Sequence, residues 1–110
     1  MGSPAFIITH DKQGTYRCHF RSSSGSDLHL SGPFVHAQAC MEGIAIVKTR
    51  ASGEEHYKRE VQDDGRHTLA LLNEKREVLA HTRDIPSAHQ REALIAQCMA
   101  EIPDAPLEGL

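Results

Sequence analysis

The chain has 110 residues, a formal net charge of −3 and 39% hydrophobic residues, which is enough for one domain with a small core. The slightly acidic balance disfavours an electrostatic nucleic-acid binder, because such proteins usually carry a basic excess. No apolar run approaches the roughly 20 residues that a membrane span needs, and the N-terminal stretch lacks the features of a signal peptide.

The three cysteines are odd in number, far apart in the sequence and without a CxxC pair. They are Cys18, Cys40 and Cys98. This usage is typical of a reduced compartment, so we expect a cytoplasmic protein. Free cysteine is among the most buried residue types, and we therefore expect all three to pack in the core rather than act as nucleophiles.

The first half of the chain predicts a three-stranded meander that begins with "AFIITH" at residues 5–10. Apolar and polar residues then alternate in "YRCHF" and in "DLHL", which is the period of a half-buried strand. A hairpin loop at 23–25 with a glycine at its end would join these two strands. This register pairs Phe20 with Leu28 on the buried face, and His19 with His29 and Arg21 with Asp27 on the other face.

After Phe34 the pattern becomes helical, with one apolar stripe at Ala37, Cys40, Ile44 and Val47. Gly43 interrupts this helix, although glycine in a helix interior costs about 1 kcal/mol relative to alanine. Two explanations stay open: the glycine lets the helix approach the sheet or another helix closely, or it is simply tolerated on the helix surface.

The second half repeats this arrangement when the sequence is shifted by 51 residues without a gap. Apolar positions then coincide in order and glycine turns meet turns. The coinciding pairs include Gly14 and Gly65, Cys18 and Leu69, Phe20 and Leu71, Leu28 and Leu79, Phe34 and Ile85, Ala37 and Ala88, and Ile44 and Ile95. Ser87 and Gln90 form a capping box at the start of the second helix. The predicted repeats cover about 5–50 and 56–102, the residues 51–55 link them, and 103–110 form a loose tail.

These motifs resemble the YegP-like family of bacterial domains of unknown function, and the resemblance covers residues 5–102. The matching positions in the first half are Gly14, Tyr16, Phe20, Ser24, Gly25, Leu28, Ser31, Phe34, Cys40, Gly43, Ile44, Val47 and Lys48. Ser24 and Glu42 stand where the family has asparagine, and Arg76 and Leu94 replace its glycines in the second half. The resemblance implies an α+β fold, in which tandem β-β-β-α repeats form one antiparallel sheet with two helices packed on one face. It transfers no catalytic residue.

The candidate surface site lies on the sheet face opposite the helices. Its predicted members are Arg17, His19, Arg21, Asp27 and His29. His19 and His29 are cross-strand neighbours, so together with His10 or a carboxylate they could hold a metal. Structural zinc, however, usually has four ligands, including thiolates, and we expect ordinary solvated histidines. The serine run at 21–27 joins two strands rather than a strand and a helix, which favours turn chemistry over a phosphate-binding loop.

The sequence favours a small non-enzymatic binding or accessory module that acts through its open sheet face or a sheet edge. It predicts no catalytic residue, no cofactor, no metal and no membrane contact. The expected partner is an unidentified protein or a small ligand, and the expected state is a monomer or a weak homodimer. The alternative is a metal-binding or enzymatic protein that uses the His19 and His29 face.

Overall fold

A computed structural model of the chain describes residues 2–109. Seven strands and two helices follow one another along the sequence, with a turn of 3₁₀ helix at Glu54–His56 and another at Ile102–Asp104. In chain order they are β1 (Ala5–His10), β2 (Tyr16–Arg21), β3 (Asp27–Leu30), α1 (Ala37–Arg50), β4 (Tyr57–Val61), β5 (His67–Leu72), β6 (Val78–His81), α2 (Ala88–Glu101) and β7 (Leu107–Glu108).

All seven strands belong to one sheet, in the order β4-β5-β6-β3-β2-β1-β7. The two meanders meet at its centre, where His29 pairs with His81 and Leu30 with Ala80 in an antiparallel ladder. The predicted α+β class is therefore confirmed. The sheet is mixed rather than wholly antiparallel, because β7 runs parallel to β1.

The predicted register of the β2–β3 hairpin is confirmed. Phe20 pairs with Leu28, His19 with His29, and Arg21 with Asp27. Gly25 has a φ of 89°. Such a loop requires a left-handed residue at this position, and glycine adopts this conformation without strain. Period-2 alternation and one glycine were sufficient here, since each strand has a single buried face.

The two helices begin at side-chain caps and bury one stripe each. The Ala39 N–H donates to His36 Nδ1 at 3.2 Å, and the Gln90 N–H donates to Ser87 Oγ at 3.1 Å, as an N-cap should. The buried residues are Cys40, Ile44 and Val47 in α1, and Leu94, Ile95 and Cys98 in α2. These side chains join one core with residues from both meanders, including Phe6, Phe20, Leu69 and Leu71.

Matching elements of the two halves begin 51 residues apart, as in β2 and β5, β3 and β6, and α1 and α2. We call two residues separated by 51 positions counterparts. An isolated antiparallel bridge joins Tyr16 to Phe34, and a second one joins their counterparts His67 and Ile85. The segment before each helix is thus held against the start of the middle strand in the same way.

The prediction of a loose tail at 103–110 is wrong for the part that the structure describes. Ala105 is buried and its carbonyl accepts a hydrogen bond from Lys48 Nζ at 2.9 Å. The Phe6 N–H donates to the Pro106 carbonyl at 2.8 Å, and β7 follows. The free edge of β1 offers unpaired backbone groups, and the extended chain after the prolines satisfies some of them.

No helix within residues 2–109 combines the length and the apolar character required to cross a lipid bilayer.

Candidate functional site

A continuous row of side chains crosses all seven strands on the face opposite the helices. Each member is the strand-pairing partner of the next one. We call this the transverse row, and in order it comprises Lys58, Ala70, His81, His29, His19, Ile7 and Glu108. Its centre therefore consists of three adjacent histidines.

The three histidine rings lie side by side rather than around a common point. The ring centroids of His19 and His29 are 5.5 Å apart, and those of His29 and His81 are 6.2 Å apart. His19 Nε2 lies 3.8 Å from Asp27 Oδ1. Burial lowers the pKa of His29, and nearby His19, Arg83 and His81 act in the same direction while Asp27 opposes them. His29 thus differs from the ordinary solvated histidine that we expected.

His81 reaches this face because of a β-bulge. Leu71 pairs with Ala80 while Leu72 pairs with Val78, so Leu79 is an extra residue. Side chains alternate between faces, and one extra residue therefore reverses which face each following side chain occupies. Ala80 enters the core and His81 faces outward, although the counterpart of His81 is the buried Leu30. The shift by 51 residues missed His81 for this reason, and the only local signal was the adjacent apolar pair Leu79-Ala80.

The structure distributes the predicted site residues over different places, with His19 in the transverse row. Arg17 and His29 line a pocket of about 250 Å³ together with His81 and Arg83. Asp27 and His29 line a second, larger groove. Arg21 lies toward the sheet edge, 3.8 Å from Glu108, and is part of neither described lining.

The smaller cavity, which we call the arginine pocket, has a lining without any carboxylate. Its residues are Arg17, Cys18, His29, Leu30, Ser31, Gly32, His81 and Arg83. Arg17 comes from β2, and Arg83 follows β6 in the chain. The same cavity is thus lined by two arginines that come from opposite sides of β3. Sequence analysis missed Arg83 together with His81, because the bulge sets the face of both.

The larger cavity, which we call the α2 groove, has a volume of about 560 Å³ and a mixed lining. It lies between the start of β3, the segment 82–86 and α2. Its charged residues have both signs, and Gln90 and Gln97 add amide groups. Both Oδ atoms of Asp84 accept hydrogen bonds from Arg66 Nη1 at 2.8 Å. Ile85, Pro86, Ala93 and Leu94 form the apolar part of its lining.

No group of three His, Cys, Asp or Glu side chains within residues 2–109 is arranged to hold a metal ion. This agrees with the side-by-side histidine rings of the transverse row. A metal on His19 and His29 would need a third ligand from outside the described chain, and this alternative stays a prediction.

The three cysteines are buried, which confirms the predicted core packing. Burial raises the pKa of Cys18 and of Cys98 to about 12, and it also raises the pKa of Cys40. A nucleophilic cysteine needs a lowered pKa and some exposure. None of the three meets those conditions.

The serine-rich hairpin turn is attached to α2 and is not arranged as an anion cradle. The Ser23 N–H donates to Glu101 Oε1 at 3.0 Å, and Ser23 Oγ donates to Glu101 Oε2. Ser24 Oγ donates to Gln97 Oε1 at 2.9 Å. These donors already serve a carboxylate and an amide of the same chain, so the prediction of turn chemistry holds.

The fold and this face define an α+β protein with one mixed sheet, two helices on one side and an uncovered basic and histidine-rich surface on the other. Two solved structures have the same fold. The solution NMR structure of YegP from E. coli, a protein of unknown function, has a TM-score of 0.84 and 17% identity, with 99% of this chain and 94% of that chain covered. The UPF0339 protein from Shewanella oneidensis has a TM-score of 0.86 and 16% identity, with 99% and 92% covered.

These likenesses confirm, at the level of the fold, the resemblance that the motifs predicted. No protein-family model matches the chain, and no curated protein matches it either. At 16–17% identity the shared structures carry the architecture and no residue role. Function has to be argued from the open face itself.

Proposed function

We propose that this protein is a small non-enzymatic binding module of the bacterial cytoplasm, which holds a small ligand or a protein partner on its open sheet face. The observation that carries this proposal is the transverse row, with the arginine pocket beside it. Antiparallel sheets commonly leave one face solvated, but a solvated face needs no aligned histidines and no pocket lined by two arginines. Exposed polar groups that converge on one cavity favour binding.

The sheet face is a better candidate than either sheet edge. The edge strand β4 carries Lys58, Arg59 and Glu60 in its five residues. Charged side chains on an edge strand oppose the addition of a further strand. At the other edge, β7 has only two residues, which is too short to template a partner.

We also propose that the chain arose as a tandem repeat of β-β-β-α units. The counterpart bridges, the helices that begin 51 residues apart and the two turns with positive φ at Gly25 and Arg76 support this. A duplicated unit that packs against its own copy creates a central seam, here the β3–β6 ladder. The arginine pocket lies on that seam.

Affinity capture from a bacterial lysate, followed by amide NMR mapping of the captured ligand, tests the proposed function. The face variant is Arg17→Glu, and the matched edge variant is Val61→Lys, which is exposed by 60% and should fold normally. We expect a partner that the parent and the edge variant retain and that the face variant loses. A partner lost only by the edge variant, or amide shifts confined to the outer helix surfaces, would contradict the proposal.

The metal-binding alternative has its own test. Zinc titration followed by proton NMR of the imidazoles should show no tight binding in the parent protein. Sub-micromolar zinc binding that disappears in His19→Ala would favour the alternative over the binding module.

A further inference from the structure

Four cationic or titratable side chains line one small cavity on the open face. Arg17 and Arg83 contribute two permanent charges, and His29 and His81 contribute two imidazoles. The hydroxyl-bearing Ser31 and the adjacent Gly32 complete the polar part of the lining. Guanidinium groups are the preferred partners of carboxylate and phosphate-type oxygens, because they present a planar fork of N–H donors.

Neither arginine of the pocket has an ion-pair partner in the described chain. Neither Arg17 nor Arg83 takes part in an ion pair with any residue from 2 to 109. Of the six other arginines, Arg21, Arg59, Arg66 and Arg91 have carboxylate partners, whereas Arg50 and Arg76 form no ion pair within residues 2–109 and do not line this cavity. Two unpaired guanidinium groups that share a cavity repel one another, and a bound anion would remove this repulsion.

We infer that the arginine pocket binds a small tetrahedral dianion, either sulfate or the terminal group of a phosphate monoester, through Arg17, Arg83, His29 and His81. The inference rests on the proposed function and specifies the ligand chemistry of the same face. A volume of about 250 Å³ corresponds to roughly eight water molecules at about 30 Å³ each. That space accommodates one such anion with part of its hydration shell.

The pocket selects for a compact anion rather than for a long polyanion. The whole chain carries a net charge of −3, and Asp27 and Asp84 line the neighbouring α2 groove. A nucleic-acid backbone that entered the pocket would run close to these carboxylates. A small dianion extends less far toward these carboxylates, although Asp27 acts on His29, and it neutralises both arginines.

Anion binding at this site depends on pH. The charged and titratable groups around His29 are His19 and Arg17 on β2, Asp27 on β3, and His81 and Arg83 on or after β6. Without an anion, burial together with His19, Arg83 and His81 keeps the pKa of His29 below its ordinary value of 6.5, although Asp27 acts in the opposite direction. A bound dianion favours the protonated form of His29, so binding takes up a proton and weakens as the pH rises through the pKa of this imidazole.

The test is a sulfate titration of the full chain at pH 5.5 and pH 7.5, followed by amide NMR at constant ionic strength with chloride as the balancing anion. Sulfate stays divalent at both values, so any pH effect comes from the protein. We expect saturable amide shifts at residues 17, 29, 81 and 83. Sulfate should bind about tenfold more tightly at the lower pH, because the uptake of one proton over about one pH unit changes the binding constant by that factor.

Three variants separate the pocket from general charge. Arg17→Gln and Arg83→Gln should each weaken sulfate binding at least tenfold, whereas Lys12→Gln, which removes the same charge in the exposed β1–β2 turn, should leave it unchanged. Equal losses in all three variants, equal affinity at both pH values, or no saturable binding would overturn the inference. Much tighter binding of a 12-residue single-stranded oligonucleotide, with shifts spread over the whole face, would overturn it in favour of nucleic acid.

The outcome is distinguishable from failure of the proposed function. If sulfate and methyl phosphate both fail to bind while Arg17→Glu still abolishes partner capture, the binding module stands and only the anion chemistry is wrong. If capture is insensitive to the face variant but sulfate binds, the anion site is real and the proposed partner surface is wrong.

Discussion

The two halves of the molecule solve the same structural problem with different side chains, most clearly at their β-hairpin turns. Ser22 Oγ accepts a hydrogen bond from the Ser26 N–H at 3.1 Å, and its counterpart Asn73 accepts one from the Glu77 N–H at 2.9 Å. The left-handed position is Gly25 in the first turn and Arg76 in the second, with φ of 89° and 66°. Only the second turn forces a residue with a Cβ into that conformation.

Each turn is also held by the helix of the other half. Glu101 of α2 accepts hydrogen bonds from Ser23 in the first turn. Its counterpart Arg50 of α1 donates from Nε to the Leu72 carbonyl at 3.1 Å, next to the second turn. A carboxylate that accepts from backbone N–H and a guanidinium that donates to backbone C=O fill equivalent places. Counterpart helix residues therefore both hold the hairpin of the other half, but one accepts the hydrogen bond and the other donates it.

The core shows the same kind of exchange near the middle of each helix. The first half has Phe34 beside Gly43, and the second half has Ile85 and Leu94 at the counterpart positions. A Cβ built on Gly43 would lie 3.4 Å from ring atoms of Phe34, which is an ordinary van der Waals distance. Alanine would therefore fit at position 43, and the second half has the larger Leu94 where Ile85 replaces the aromatic ring. Compared with the first half, the second half thus has a smaller side chain at one of the two positions and a larger one at the other, so neither position keeps its own volume.

The largest effect that tests this comparison is division of the chain. We expect neither residues 1–53 nor 54–110 to fold as a monomer, because each fragment loses the helix that holds its hairpin and half of the shared core. The fragment 1–53 should recover structure by pairing with a second copy, and 54–110 should be disordered or aggregated. Sedimentation and amide NMR measure this. A well-dispersed spectrum from monomeric 1–53 would show two independent units instead.

A charge in either helix stripe should be nearly as damaging. Ile44→Asp and its counterpart Ile95→Asp bury a carboxylate without a partner in the core, so each should lower the free energy of unfolding by at least about 3 kcal/mol. Ile46→Asp is the control, because Ile46 is 48% exposed and should change stability little. Thermal or urea unfolding of the three variants provides the measurement. A parent-like transition for Ile44→Asp would show that the helix face is wrong.

Exchanging the left-handed residues of the two hairpin turns should change the free energy of unfolding by about 1 kcal/mol, with opposite sign in the two halves. Gly25→Arg should lower the free energy of unfolding by about 1–2 kcal/mol, since a Cβ there meets no atom within 4 Å and only backbone strain acts. Arg76→Gly should raise it by about 0.5–1 kcal/mol for the opposite reason. Denaturant unfolding of both variants gives the two values. If both variants changed the free energy of unfolding in the same direction, the two turns would not be equivalent.

A smaller gain is expected inside α1. Gly43→Ala should raise the free energy of unfolding by up to about 1 kcal/mol, because alanine is the better helix former and its Cβ finds ordinary contact distances. The measurement is again denaturant unfolding. A loss of stability would instead show that the Phe34 ring needs direct contact with the glycine backbone, as the close-approach explanation requires.

The smallest effect concerns His29, whose counterpart in the second half is the apolar Ala80. Its pKa is lowered below 6.5 in the folded state, mainly by burial, so the unfolded chain takes up the proton first as the pH falls. The free energy of unfolding should therefore decrease as the pH drops below about 7 and level off once the folded state is protonated too. His29→Gln should flatten this slope in urea unfolding at several pH values. An unchanged slope would assign the effect to other histidines.

Sequence reasoning predicted the first half of the candidate site and missed its second half. Arg17, His19 and His29 were placed on the correct face because β2 and β3 alternate regularly and a glycine turn sets their register. His81 and Arg83 were missed, since their position depends on the bulge at Leu79. The pairing of β7 with β1 was missed too, because two prolines suggest a loose tail and say nothing of the free edge nearby.

The sequence by itself determined the buried stripe of α1 and the β2–β3 register, because both follow from local periodicity and turn chemistry. The α+β class was what the family resemblance implied, and the burial of the cysteines followed from their residue type. Only the tertiary structure decided which residues meet at the β3–β6 seam. A bulge is chosen by how two strands pack against a common core, and that choice lets Ala80 enter the core while His81 and Arg83 face the solvent. The arginine pocket exists for that reason, although its four charged or titratable side chains come from two distant parts of the chain.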